Sequence, residues 1–342
     1  WRIVGNLVEV LAGGEIRISI EAVNFPITYN HPHLLNGGKN TLQRTTTDQT
    51  QYLIICPSEF ASAAQSLANI HSDSVVTGRL NTVFVTVEEI IAANNSLDIN
   101  YAIRQYVLDS IASNGELYFL LLFGDETKVP PIFYDNSSSE YPSDDFYSTN
   151  NIFADTPQLS TGRIPVSTIG DANIVVNKIH DYILNPTQGV WRSKIALVAD
   201  DMNEECNTHV GTQMSERLHT THTQELYDPL KTLLPVLPYY GVHYPIENCE
   251  YPTLTRNLIQ TINNGVALIN YIGHGNQNSW SHESFLNKSR DLSLIHASEN
   301  EDGQLTNKKL AIWVAGTCSF GNYYGENSFM EELLIKEDGA IA

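Results

Sequence analysis

Basic residues are scarce in this chain: 19 lysines and arginines stand against 39 aspartates and glutamates, a formal net charge of −20. That deficit argues against a nucleic-acid partner, which asks for a basic face. Most of the acidic groups read as solvated surface. Cysteine is sparse as well, four in 342 residues, too few for a disulfide scaffold and without a CxxC pair to suggest structural zinc. No apolar run approaches the ~18 residues of a membrane-crossing helix, so no transmembrane segment is expected. The chain opens at Trp1 without Met or a signal peptide. It stops in the apolar run Gly339 to Ala342. Both ends read as cuts in a longer protein, with a further strand expected after Ala342.

What is present is an ordinary 42% of hydrophobic residues, enough for a sizeable core, in a length that suggests two domains. Residues 1–48 stand apart as a β-hairpin extension and linker. There Leu7 to Leu11 and the alternating Glu15 to Val23 flank a Gly13-Gly14 turn, and a polar stretch carrying His31 and His33 follows. Residues 49–188 read as a first α/β subdomain. Its strands are YLIIC (52–56), TVFVTV (82–87) and LYFLLLFGD (117–125). Between them lie helices capped by Ser58 and opened by Asp98, and a further helix, Ile169 to Leu184, is closed by Pro186. Residues 189–342 repeat the pattern: strand KIALVAD (194–200), a helix over Thr208–Leu218, a weak strand VLPYYGV (236–242), a helix over Pro252–Ile262, two more strands, and a helix over Asn327–Ile335. Repeated βα units predict an α/β protein with two successive, mainly parallel sheets flanked by helices.

The last two strands carry the chemistry. Val266 to Ile272 runs into Gly273-His274-Gly275, and Leu310 to Ala315 runs into Gly316-Thr317-Cys318. In open α/β sheets ligands gather at the carboxyl ends of strands. His274 and Cys318 stand 318 − 274 = 44 residues apart, enough chain for one crossover. An imidazole beside a thiol makes a thiolate nucleophile, and flanking glycines leave N–H groups for an oxyanion. Read blandly, the same residues are a satisfied polar histidine and a core cysteine, and spacing alone weighs the two equally. Cys56 ends an apolar strand and is expected to be core. Cys206 and Cys249 lie in polar stretches where pairing stays open. Asp125, Asp144, Asp145 and Arg163 fit either a ligand site or structural salt bridges.

GHGNQNSW (273–280), with AGTCSFG (315–321) and then Glu331 and Glu332 downstream, resembles the gingipain family of cysteine peptidases, which have the caspase-like fold. The resemblance spreads over residues 51–342. YLIICPSEF, AIRQYVLDS, LLLFGD, YPSDDFY, TGRIPV and VVNKIHDYI fit its non-catalytic first subdomain; KIALVADD, ALINYIGHG and AGTCSFG fit the second. The resemblance implies Cys318 as nucleophile, His274 as general base and acid, and Asp200 or Asp201 as the carboxylate that orients the imidazole. It implies an oxyanion hole on the N–H groups of Gly275 and Cys318, and a substrate-pocket wall of Trp280, Asn278 and Glu283. Arg-specific members carry an acid where Glu204, Glu205 and Cys206 fall here without clean alignment. The series looks most like the sortase branch of the bacterial type IX secretion system, with gingipain-type endopeptidases next. That would make the protein secreted or attached to the outer membrane or cell surface of a bacterium. Its partners would be protein or peptide substrates and other secretion components. No cofactor is required for the chemistry, and structural calcium is expected in the 135–155 or 200–205 acidic stretches. The alternatives are a non-catalytic scaffold of the secretion machine and a zinc hydrolase built on His274, His282 and Cys318.

Overall fold

The computed structural model describes residues 6–10, 16–20, 49–76, 78–93, 98–135, 140–149, 156–201, 213–297 and 308–342. The chain divides into two compact units, one of residues 27–186 with 323–326, the other of residues 1–26, 187–322 and 327–342. At the N-terminus β1 (Asn6–Val10) and β2 (Ile16–Ile20) pair antiparallel, Val8 opposite Ile18, as the alternating pattern predicts. The expected Gly13-Gly14 turn, and His31 and His33, lie outside the described residues.

The unit of residues 27–186 is built from β3 (Tyr52–Cys56), α1 (Ala61–Ser72), β4 (Thr82–Thr86), α2 (Val87–Ala93), α3 (Ile99–Ser113), β5 (Phe119–Phe123), the hairpin β6 (Ile132–Asp135) and β7 (Glu140–Ser143), β8 (Ser160–Ile164) and α4 (Ile169–Leu184). The strands form one parallel sheet in the order β4-β3-β5-β8. Leu53 to Cys56 and Leu120 to Phe123 are buried, because both faces of a central parallel strand are covered by helices. Ser58 does not cap a helix with its side chain. Its backbone N–H donates to the Glu88 carboxylate at 2.8 Å, and a 3-10 turn precedes α1. Arg163 clamps Asp144 through Nε at 2.8 Å and Nη2 at 2.7 Å, and donates from Nη1 to the carbonyls of Gly124 and Asp125. With its side chain 4% exposed and its fork filled, Arg163 is a structural clamp.

The other unit contains β9 (Ile195–Ala199), α5 (Gln213–Leu230), β10 (Val236–Tyr240), α6 (Pro252–Asn264), β11 (Leu268–Ile272), the short strands β12 (Gly275–Asn276), β13 (Ser279–Trp280) and β14 (Leu286–Asn287), α7 (Lys288–Asp291), β15 (Ile312–Gly316) and α8 (Phe329–Ile335). Its parallel sheet runs β10-β9-β11-β15. Pro238 sits in β10, an outer strand of that order, where a missing N–H breaks no inner ladder. The helix expected over Thr208–Leu218 instead continues to Leu230. Pro229 falls in its last turn, where it removes one i→i−4 hydrogen bond and the helix stops at the next residue. Residues 340–342 lie parallel along β15: the Ile341 N–H donates to the Ala311 carbonyl at 3.0 Å and the Trp313 N–H to the Ala342 carbonyl at 2.7 Å. Cys249 is disulfide-bonded, Cys56 is buried and free, and Cys318 is exposed and free; Cys206 lies outside the described residues. Among the described residues no helix is long and apolar enough to cross a membrane.

Candidate active site

Three neighbouring strands of the second sheet stop at the same level. Ile272 of β11 pairs with Ala199 of β9 on one side and Gly316 of β15 on the other. Their continuations are Asp200-Asp201, Gly273-His274 and Thr317-Cys318. Adjacent strands lie about 4.7–4.9 Å apart, so the three segments leave the sheet as neighbours. The ladder holds them for one more residue: the Asp200 N–H donates to the Ile272 carbonyl at 3.1 Å, and the Gly273 N–H to the Gly316 carbonyl at 3.3 Å.

The two aspartates face different ways. Asp200 accepts from the His274 backbone N–H at 2.8 Å and from the Asp201 N–H at 3.1 Å. Burial raises its carboxyl above the usual carboxylate range, against hydrogen bonds from His274, Ser281 and Asp201 that lower it. Asp201 accepts from the Tyr251 hydroxyl, and its β-carbon would lie 2.7 Å from a methyl placed on Gly241. Asp200 is therefore the carboxylate beside His274. The buried Tyr271 hydroxyl donates to the His274 carbonyl at 2.5 Å, which pins the backbone of the loop from inside the sheet. Neither glycine beside His274 has room for a side chain. A β-carbon on Gly273 would meet the Tyr271 hydroxyl at 2.4 Å and Asp200 at 2.5 Å; one on Gly275 would meet the Thr317 hydroxyl at 2.5 Å.

Gly275 begins a hairpin of β12 and β13, opposite Trp280. The Ser281 N–H donates to the His274 carbonyl at 2.7 Å, which makes His274 and Ser281 a hydrogen-bonded pair. Because such pairs alternate in antiparallel ladders, Gly275 is a non-bonded position whose N–H points out of the hairpin. Trp280 is fully buried and stacks on Tyr271, centroids 4.4 Å apart at 8°, with Trp313 at 5.4 Å and Phe320 at 5.5 Å. It supports the hairpin from beneath and joins it to the Cys318 loop through Phe320. Asn278 is exposed near the tip, whereas Glu283 is buried and accepts from the Ser281 hydroxyl. Non-glycine residues with positive φ gather here: Ser281 at 64°, Ser284 at 52°, and Ser319 at 53° directly after Cys318. Held backbone of this kind clusters at functional sites.

Two histidine rings flank His274. His282 is exposed with its centroid 5.0 Å away. His219, on α5, lies edge-on at 5.2 Å, and burial, then His274 and His222, pushes its pKa down to about 4. Sequence reading passed over His219. The signal was His219-Thr-Thr-His222, two imidazoles at i and i+3 on one helix face. Among the described residues, the side chains that converge closely enough to share an ion are Asp200, His219 and His274, and separately Asp200, Asp201 and Glu283. The set of the zinc-hydrolase alternative, His274, His282 and Cys318, is not among them. Glu204 and Glu205 lie outside the described residues, as does part of the 135–155 stretch.

The model of peptidase family C25 matches residues 45–342, and no curated protein matches. Among solved structures, the Arg-specific cysteine proteinase gingipain R (RgpB) is 16% identical with a TM-score of 0.61, over 87% of this chain and 62% of that one. The complex of Porphyromonas gingivalis RgpB pro- and mature domains is 18% identical with a TM-score of 0.57, covering 85% of this chain and 61% of that one. A further protease structure is 20% identical with a TM-score of 0.59, covering 87% and 59%. The fold is thus the gingipain, caspase-like α/β fold, and the chain spans about three fifths of those structures' length.

Proposed function

Because the chain belongs to peptidase family C25, we propose that it is a cysteine endopeptidase working through Cys318 and His274. The observation that carries this reading is the common level at which β9, β11 and β15 end, side by side, in Asp200, His274 and Cys318. His274 takes the thiol proton of Cys318. The sulfur attacks the peptide carbonyl carbon, and the charge on oxygen is held by the N–H groups of Gly275 and Cys318. The C–N bond breaks as His274 returns the proton to the leaving amine, which leaves a thioester on Cys318. Water or a second amine then attacks the thioester, and the thiol is restored. Asp200 holds the His274 loop in place, and the hairpin bearing Asn278 over Trp280 flanks the substrate.

The finer reading is a signal peptidase and sortase of the type IX secretion system, which removes C-terminal signals and passes the acyl group to an amine. The resemblance of the ordered series of sequence segments, which looks most like that branch, supports it. A disulfide at Cys249 fits an oxidising compartment, as does a place outside the bacterial cytoplasm.

The test uses a mixture of peptides read by mass spectrometry, with and without glycine ethyl ester as amine acceptor. Wild-type protein cleaves, and iodoacetamide at neutral pH labels Cys318 ahead of Cys56. Cys318→Ala neither cleaves nor takes label at that position. Equal cleavage by Cys318→Ala would remove the assignment and leave the scaffold reading. Products carrying the ester as an amide support the sortase branch, and free acids alone support a gingipain-like hydrolase.

A further inference from the structure

The side of the His274 loop next to α5 has a use the peptidase reading leaves unassigned. One donor atom each of Asp200, His219 and His274 lies within 4.8 Å of the other two. Nδ1 of His219 is buried and has no hydrogen-bond partner among the described residues, although a buried polar atom is ordinarily satisfied. The Thr220 hydroxyl donates to the Asp200 carbonyl at 3.2 Å, which fixes this turn of α5 against the end of β9. Asp200 accepts the His274 and Asp201 N–H groups and a bond from Ser281, so a metal here would replace one of these donors or share its oxygen. Asp201 and Glu283, clustered with Asp200 within 4.8 Å, add negative charge behind it.

We propose that Asp200, His219 and His274 form a Zn²⁺ site whose occupation withdraws His274 from catalysis. Two imidazole nitrogens and one carboxylate oxygen, with a fourth position open to water, are a set that Zn²⁺ takes, whereas Ca²⁺ and Mg²⁺ seek oxygens alone. Metal–ligand bonds of about 2.0–2.1 Å put tetrahedral donors about 3.3 Å apart, so the side chains close by about 1.5 Å or less. Binding depends only on these three side chains. That it inhibits rests on His274 serving as the base.

The experiment is calorimetric titration of the intact protein with Zn²⁺ at pH 7, alongside Cys318→Ala, His282→Gln and His219→Gln, with folding checked by circular dichroism. Wild type, Cys318→Ala and His282→Gln should bind one Zn²⁺ with equal affinity, and His219→Gln should bind at least about 10–100-fold more weakly. Peptide cleavage by wild type should fall on adding Zn²⁺ and return with chelator, with the inhibition curve displaced by the same factor in His219→Gln. Lost binding in Cys318→Ala, which would mean a thiolate–imidazole site, overturns the proposal. So does unchanged binding in a folded His219→Gln. Co²⁺ added to wild type gives a reading that needs no variant: a thiolate-to-cobalt charge-transfer band refutes the site, and its absence with one Co²⁺ bound supports it. If Zn²⁺ binds as described to a protein that cleaves nothing, the site stands and the peptidase reading fails. Cleavage without Zn²⁺ binding gives the reverse.

Discussion

The two sheets lay down their strands in the same order: second, first, third, fourth. Both third strands close in Gly followed by a polar residue, Gly124-Asp125 after β5 and Gly273-His274 after β11. The outcomes differ. Asp125 turns back on its own loop, accepting at Oδ1 from the Thr127 N–H and hydroxyl and from the Lys128 N–H. His274 is held by its backbone, its N–H donating to Asp200 and its carbonyl accepting from the Tyr271 hydroxyl. The first and fourth strands diverge likewise. β3 ends in Cys56, fully buried, whose thiol burial and then Glu88 and Glu89 push up to about 12. β15 ends before Cys318, which is exposed. One topology thus supplies a closed scaffold in one unit and, in the other, three neighbouring strand ends that lead into Asp200, His274 and Cys318. Strand order makes the platform, and what each strand-end residue bonds to decides whether it can do chemistry.

The sharpest way to break that contrast is to change the third-strand residues in turn. His274→Gln should lower kcat/KM by about 10²–10⁴-fold with little change in folding free energy. Asp125→Asn should leave turnover per folded molecule intact and cost about 1–3 kcal/mol of stability. Kinetics and urea titrations on both variants check this, and similar behaviour of the two would dissolve the distinction. Next in size, Arg163→Ala leaves the partly exposed Asp144 carboxylate with the Tyr323 hydroxyl but without the guanidinium and should cost about 1–3 kcal/mol, read by denaturant midpoint. A loss under 1 kcal/mol would return Arg163 to the list of ligand-binding candidates. Asp200→Asn puts an amide donor where two backbone N–H groups need acceptors. A penalty of about 1–3 kcal/mol should appear as a drop of roughly 10–100-fold in kcat/KM, whereas Asp201→Asn should act mainly on stability. Equal kinetic losses would make the two aspartates interchangeable.

The smallest effect concerns pH. His219 titrates near 4 in the fold against 6.5 unfolded, so its contribution is whole above pH 6.5 and is lost as pH falls toward 4. Asp200, raised by burial, acts in the opposite sense, contributing below the usual carboxylate range and losing that contribution as pH rises. Melting temperature should therefore fall less from pH 6.5 to 4 in His219→Gln than in wild type, and parallel curves would refute the assignment.

The sequence was most readable where short apolar runs end abruptly. β3, β5, β9 and β11 are β-branched or leucine-rich stretches, buried over most of their length and stopped by Gly, Pro or Asp; β15 was legible from the same kind of run, although its residues are only partly buried. Ile169–Leu184 was equally plain, with Thr168 as cap and Pro186 as stop. Ser58 misled because its N–H and its side chain are both taken up by Glu88, thirty residues away. The second half of α5 was hidden by its polar HTTHTQE composition, which carries little apolar periodicity, and His219 was hidden with it. The two-residue strands β12 to β14 have no period to detect. The pocket-wall reading of Trp280 ran up against a tertiary fact: its ring is fully buried in the stack with Tyr271, which one-dimensional spacing does not show.

The crowding around Gly273 and Gly275 limits how this loop can vary. A library randomised from 273 to 278 and selected for folded, active protein should return only glycine at those two positions, while Gln277 and Asn278, whose carbonyls but not side chains are tied to Phe329 and Lys288, accept broad replacement. Variation in this loop is thereby left to the hairpin tip, with the histidine's own neighbours fixed by the volume of a single methyl group.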